Sequence, residues 1–278
     1  MHLFSYNVRM ITFRQYVHQS ATYKLIRSFL LKFVDLVATF GGIVQNGLAT
    51  LKYLLILQVE RKELLEQCVR FGITSLPITL SIVGMTCVIV ASQVAAEMVK
   101  QGGGNFVGLF MSILIVREVG AIMSGFAIIS MIGSSLASEI ATMRVTEQID
   151  AISVLKVDPI RYLFVPRVLS GILMMPLVVI ISSAFGVVTG ALTTDLSTEL
   201  TYRAYFDSAW IGIHMKDLGV CLLKAVTFGG TIALISCSCG YQAKGGAKGV
   251  GLATTKAVVW SFVAIVIWDL IFAIAFFF

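Results

Sequence analysis

Twenty-seven consecutive residues, Val168 to Thr194, pass without one charged side chain. As a helix rising about 1.5 Å per residue, that run outreaches the roughly 30 Å hydrocarbon layer of a bilayer. Similar stretches recur at Gly72 to Ser92, at Ala225 to Ala243, and at Ala257 to Phe278, where Asp269 is the only charge. Across 278 residues, 58% are hydrophobic and only 13% are Asp, Glu, Lys or Arg, against about 25% charged in soluble domains. A soluble core of this size cannot enclose so much apolar side chain, and a mean hydropathy of +0.92 points to hydrocarbon as the solvent. The expected fold is an all-α integral membrane protein.

Lys100 to Asn105 contains three successive glycines and ends the first span in a turn. Phe106 to Ser138 is apolar apart from Arg117 and Glu118, and is too long for one upright crossing; it either tilts and protrudes or breaks near Gly120 or Gly125. The spans are placed at about 72–98, 106–138, 168–194, 218–243 and 257–278. Residues 1–71 form a cytosolic or interfacial amphipathic region and 72–278 the membrane domain. Phe33 to Leu57 is apolar but interrupted by Asp35, Gln45, Asn46 and Lys52, which suits a helix lying in the interface, with a full crossing as the alternative. The first thirty residues lack an apolar signal core and an A-x-A cleavage site, so no cleavable signal is expected. With the N-terminus inside, sixteen Lys and Arg fall on the inner side against three outside, Lys100, Arg203 and Lys216. That asymmetry favours five crossings with the C-terminus outside.

Ionisable residues at membrane depth are costly unless paired or wet, which makes them candidates for function. Arg117 and Glu118 are neighbours about 100° apart on a helix, so they cannot face one partner, and at least one must reach outside its own helix. Gln93 and Glu97 share a helical face with Val90, Val94 and Met98, an apolar stripe with polar anchors that could line a groove for a molecule with a polar head and apolar tails. The alternative is interhelical packing alone. Gly186 and Gly190, and the glycines and serines between Gly120 and Ser138, suit close helix approach, within the chain or between copies.

The inner segment from Glu139 to Ile152 has apolar Ile140, Met143, Ile149 and Ile152 at roughly helical spacing, with Glu139, Arg144, Glu147, Gln148 and Asp150 on other faces. An amphipathic helix there could seat in a groove on another protein or lie solvated. The glycine-rich Lys244 to Gly251 lacks the GxxxxGK[ST] spacing of a phosphate cradle, and neither HExxH nor GxSxG occurs. The five cysteines form no CxxC pair, so they read as small buried hydrophobes with no metal or cofactor implied. The +6 charge, spread along membrane segments, reads as a topology signal and not as a nucleic-acid surface.

Four segments, Arg117 to Gly120, Glu139 to Ala151, Val157 to Arg167 and Gly245 to Val258, together resemble the MlaE family, the permease subunits of MCE-type lipid ABC transporters. The likeness covers roughly Leu51 to Phe278. It implies a homodimer, a separate cytosolic ABC ATPase, an MCE-domain partner that exchanges phospholipid for outer-membrane lipid homeostasis, and a bacterial inner-membrane or plastid-envelope location. It also implies an interfacial N-terminal helix before five spans. By the resemblance, Glu139, Met143, Arg144, Glu147, Gln148 and Asp150 belong to the helix that couples to the ATPase, and Val90, Gln93, Val94, Glu97, Met98, Arg117 and Glu118 surround the lipid. Ala121 stands where the family pattern R-E-x-G-P has proline, leaving Gly120 alone to permit a bend. Two rival classes are an ion-coupled secondary transporter, for which the inverted repeats are missing, and an intramembrane lipid-modifying enzyme, for which no second catalytic group accompanies Glu97 or Glu118.

Overall fold

The computed structural model describes residues 21–54, 60–198 and 200–277, and among these the chain is helical with no strand. The expectation of an uncleaved start falls mostly on residues 1–20, outside the described residues. The helices are α1 Ala21–Leu54, α2 Arg61–Lys100, α3 Gly104–Val145, α4 Gln148–Val154, α5 Ile160–Ser197, α6 Tyr202–Gly212, α7 Met215–Tyr241 and α8 Gly246–Phe277. Among the described residues, six helices are long and apolar enough to cross a membrane: Val34–Leu54 within α1, then α2, α3, α5, α7 and α8. The 34–54 stretch has the lowest hydropathy of the six, 1.2, so its length suits a crossing while its interruptions suit the interface. The described residues up to Gln45 belong to one compact unit and those from Asn46 onward to another, and the site lies within the second.

Residues 106–138 do not break at Gly120 or Gly125. They belong to one 42-residue helix, α3, which runs well past the hydrocarbon. It contains two π-helical turns, Ile115–Val119 and Ile129–Gly133. Each inserts a residue into the helical repeat without ending it. The helix expected over 139–152, by contrast, is interrupted: α3 ends at Val145, Glu147 adopts a left-handed conformation with φ of 61°, and α4 restarts at Gln148. Periodicity cannot reveal such a corner, because both halves keep their apolar residues on the buried side.

Helices α5, α7 and α3 form the centre, with Phe71, Ile128, Met175, Phe228 and Ile265 among the buried residues there. They approach closely because glycines sit at the crossings. A Cβ on Gly171 of α5 would come within 2.6 Å of the Gly229 carbonyl of α7, and one on Gly240 of α7 within 2.7 Å of the Ala137 carbonyl of α3. Gly186 and Gly190 serve contacts inside the chain: a Cβ at Gly186 would lie 2.8 Å from Cys87 Sγ, and one at Gly190 2.9 Å from the Tyr205 hydroxyl. The Gly171–Gly229 and Gly240–Ala137 approaches bring backbones together, and such close packing is what drives helix association in lipid. Gly171→Leu should therefore lower the unfolding temperature in detergent, at an overpacking cost of about 1–3 kcal/mol or more, whereas Gly251→Ala, which faces open space, should leave it unchanged.

Candidate functional site

The charged pair in α3 resolves its geometry by reaching two different residues, two turns apart, on one neighbouring helix. Arg117 bonds Asp217 of α7 at 3.1 Å, while Glu118 pairs with Lys224 of α7 at 3.2 Å. Lys224 is fully buried. It also donates to Asp269 of α8 at 2.8 Å and to the Arg117 carbonyl at 2.9 Å, so all three ammonium protons have acceptors. The guanidinium of Arg117 lies 4.5 Å from the Phe277 ring centroid, a cation–π contact, while its Nε is buried with no hydrogen-bond partner among the described residues. Asp217 is buried, whereas the Arg117 and Glu118 side chains keep about a third of their surface, 35% and 32%. Two cations thus face three carboxylates with one open side.

The π-helical turn Ile115–Val119 holds both charged residues of α3. Sequence reasoning found Arg117 and Glu118 but passed over Asp217, Lys224 and Asp269 as site members. The signal was present, since Lys224 stands alone among the charges of its span and Asp269 among those of the last. What spacing cannot supply is which helices meet at that depth.

The outer ends of α2 and α3 frame an apolar groove of about 360 Å³, lined by Val94, Met98, Phe110, Met111 and Leu114. Of the stripe expected from sequence, Val94 and Met98 face the groove. Val90 is half-buried against the cluster built around Cys87 and Ile115. Gln93 and Glu97 are exposed, and Glu97 pairs with Lys100 at 3.0 Å on its own helix. Arg117 and Glu118 follow Leu114 by about one turn, so the charge cluster begins where the groove ends.

At the other end of α3, Glu139 accepts from Arg70 of α2 and from Arg167 of α5, each at 2.5 Å. Arg70 also donates to Ser135 at 2.8 Å, and Arg167 to the Leu163 carbonyl at 2.8 Å. Glu139, singled out as a docking residue, is thereby occupied by an internal clamp across three helices. Arg144 bridges the corner to Asp150 at 2.5 Å and lies 5.6 Å from the Tyr241 ring. Met143 packs with buried Ile140 and Ile149, while Glu147, Gln148 and Asp150 are exposed. Two residues beyond the expected segment complete the surface: Val154 and Leu155 are 81% and 75% exposed, apolar residues on the tip of an inner loop.

The family pattern described as permease MlaE matches residues 64–275. The chain belongs to the MlaE permease family. It is 37% identical over 210 residues to a probable ABC transporter permease protein of Synechocystis, covering 76% of this chain and 80% of that one. A probable ABC transporter permease protein of Rickettsia prowazekii is 37% identical over 204 residues, covering 73% and 79%. TRIGALACTOSYLDIACYLGLYCEROL 1, chloroplastic, of Arabidopsis thaliana is 34% identical over 223 residues, covering 79% of this chain and 63% of that protein. The protein is thus a transport subunit, a multi-pass permease of the inner membrane with bacterial and chloroplast relatives.

Lys224→Met would leave Glu118 and Asp269 facing each other without their cation. Its expected cost is about 3–5 kcal/mol, the usual result of stranding buried charge, read as a lowered unfolding temperature in detergent. Glu118→Ala should cost less, because Lys224 retains Asp269 and the Arg117 carbonyl. Equal losses in the two variants would contradict this division of roles.

Proposed function

We propose that this permease is the membrane half of an ATP-driven transporter that moves phospholipid between the membrane and an MCE-domain protein, with two copies flanking the lipid route. The observation that carries the reading is the open apolar groove of α2 and α3 ending on a charge cluster in the outer half of the same helix. Acyl tails suit a wall of Val94, Met98, Phe110 and Leu114, and a headgroup suits a place beside the exposed sides of Arg117 and Glu118. The name of the Arabidopsis relative is that of a galactosylated diacylglycerol, which fits a diacyl cargo.

Lifting such a lipid out of a bilayer re-exposes methylenes at about 0.8 kcal/mol each, more than any polar contact in the groove can offset. An outside energy source is needed, and the sequence has no GxxxxGK[ST] segment to bind nucleotide. A separate ATPase on the inner face supplies it in this reading. The exposed Val154 and Leu155, with Glu147 and Gln148 beside them, are its docking surface. Because Arg144 and Asp150 tie α4 to the end of α3, a push on the loop is transmitted to the helix that carries the groove wall and Glu118.

The permease purified from native membranes is expected to carry both a nucleotide-hydrolysing chain and phospholipid identifiable by mass spectrometry. Transport by the lone chain driven by an ion gradient would overturn the proposal. Leu155→Asp and Glu147→Lys should each leave the protein folded in detergent while abolishing co-purification of the ATPase; an undiminished complex in both variants would remove the docking assignment. Glu118→Ala should reduce lipid transport by a larger factor than it reduces the folded fraction, and normal transport per folded molecule would confine the cluster to packing.

A further inference from the structure

At the other end of α2 from the groove lies a larger cavity, a cleft of about 900 Å³ where the end of α1, the start of α2, the loop after α4 and the start of α5 meet. Its wall is polar. Arg61, Lys156 and Arg161 supply three cations, and Glu60, Glu63 and Asp158 three carboxylates. Two of those carboxylates are already engaged: Asp158 accepts from the Tyr53 hydroxyl at 2.5 Å and from the Ile160 amide at 2.9 Å, while Glu63 accepts from Gln67 at 3.1 Å and lies 3.8 Å from buried Arg167. Glu60 is exposed at the N-cap of α2, where the helix dipole favours a carboxylate. The side chains of Arg61 and Lys156, by contrast, have no ion-pair or hydrogen-bond partner among the described residues.

The cleft sits where the membrane ends. The charge-free run of α2 begins at Phe71 beside Arg70, and that of α5 at Val168 beside Arg167, so the clamp of these arginines on Glu139 marks the edge of the hydrocarbon. Arg61 lies nine residues before Arg70 and Arg161 six before Arg167, about 14 and 9 Å farther out along their helices. Long basic side chains bridge such a distance back to lipid headgroups. Tyr53 and Tyr162, in the same wall, are of the residue type that gathers at a membrane–water interface. Arg61 also borders the lipid: Leu65, Val69 and Ile73 follow it at four-residue intervals along one flank of α2, 65%, 49% and 65% exposed. They form an apolar ladder from the rim of the cleft into the hydrocarbon.

We infer that this cleft holds the phosphate of an anionic phospholipid from the inner leaflet, the side that the Lys and Arg asymmetry assigns to this end, with Arg61 and Lys156 binding the phosphate and the acyl chains lying along Leu65, Val69 and Ile73. Unpaired cations beside a membrane attract anionic headgroups, and arginine and lysine give a phosphate charge-assisted hydrogen bonds. A soluble phosphate would meet the same cations but leave the ladder unused. The site is separate from the groove of α2 and α3, and it needs only the membrane setting, whatever cargo the permease carries. Lys156 directly follows Leu155 and turns the chain with a φ of 59°. In the docking reading above, a lipid held by Lys156 ties the docking tip to the membrane surface.

The assembly purified from membranes is placed in phosphatidylcholine nanodiscs with a trace of phosphatidylglycerol carrying a photoreactive diazirine at the head end of one chain, and the adducts are mapped by mass spectrometry. They should concentrate on residues 61–73 and 156–162, and unlabelled phosphatidylglycerol should displace them while glycerol 3-phosphate does not. Arg61→Gln combined with Lys156→Gln should lower that labelling about tenfold and leave the unfolding temperature unchanged, since both side chains are exposed. Arg61→Lys, which keeps the charge, should retain it. Adducts spread evenly over the lipid-facing helices, or undiminished in the double variant, would overturn the inference. Displacement by glycerol 3-phosphate would assign the cleft to a soluble phosphate, and labelling that appears there only after the ATPase is stripped away would assign it to that partner; either result overturns the lipid site.

Discussion

A fully buried ammonium in the outer half of a membrane bundle is the constraint around which this permease is organised. Lys224 is tolerable there only because Glu118, Asp269 and the Arg117 carbonyl surround it, and those acceptors come from two other helices. Satisfying one charge therefore fixes the rotation and depth of α3, α7 and α8 together. Arg117 extends the set to Asp217, and the partial exposure of Arg117 and Glu118 leaves the cluster one open side, where the apolar groove arrives. The same interaction that locks three helices also presents charge at the end of a greasy path.

The inner end of α3 repeats the device with the signs exchanged, one carboxylate, Glu139, between two guanidiniums from α2 and α5. One helix thus carries an acidic residue near each membrane face, each holding cations on its neighbours. Local π-helical geometry accompanies these sites. Arg70 opens one such turn, Arg117 and Glu118 lie within another, and Arg167 follows a third by three residues. An added residue in the repeat turns a side chain toward a neighbour that a regular helix would have missed, and such turns gather at functional sites.

Much of the candidate site was legible in the residues. Charges at membrane depth are so expensive that Arg117 and Glu118 announce themselves from the sequence, and the stripe holding Val94 and Met98 follows from helical periodicity. The grouping was less legible. Gln93 and Glu97 share the stripe by spacing, yet they point away from the groove, and Glu97 pairs locally with Lys100. Glu139 reads as a solvent-side residue of an amphipathic helix, yet it faces two arginines that lie 69 and 28 positions away. Periodicity describes one helix at a time, whereas these outcomes depend on which neighbour occupies each face.

The sequence by itself determined the helical class and the membrane setting, because hydrocarbon penalises every unpaired backbone group and every unpaired charge in the same way whatever the fold. Tertiary structure alone decided that α3 runs unbroken through two π-helical turns, that the inner segment bends at Glu147, and that Lys224, Asp217 and Asp269 join the charged pair of α3. The grouping of those charges rests on contacts between residues 45 to 106 positions apart. Their energies are set by helix rotation and close glycine crossings, and no local window of sequence contains either.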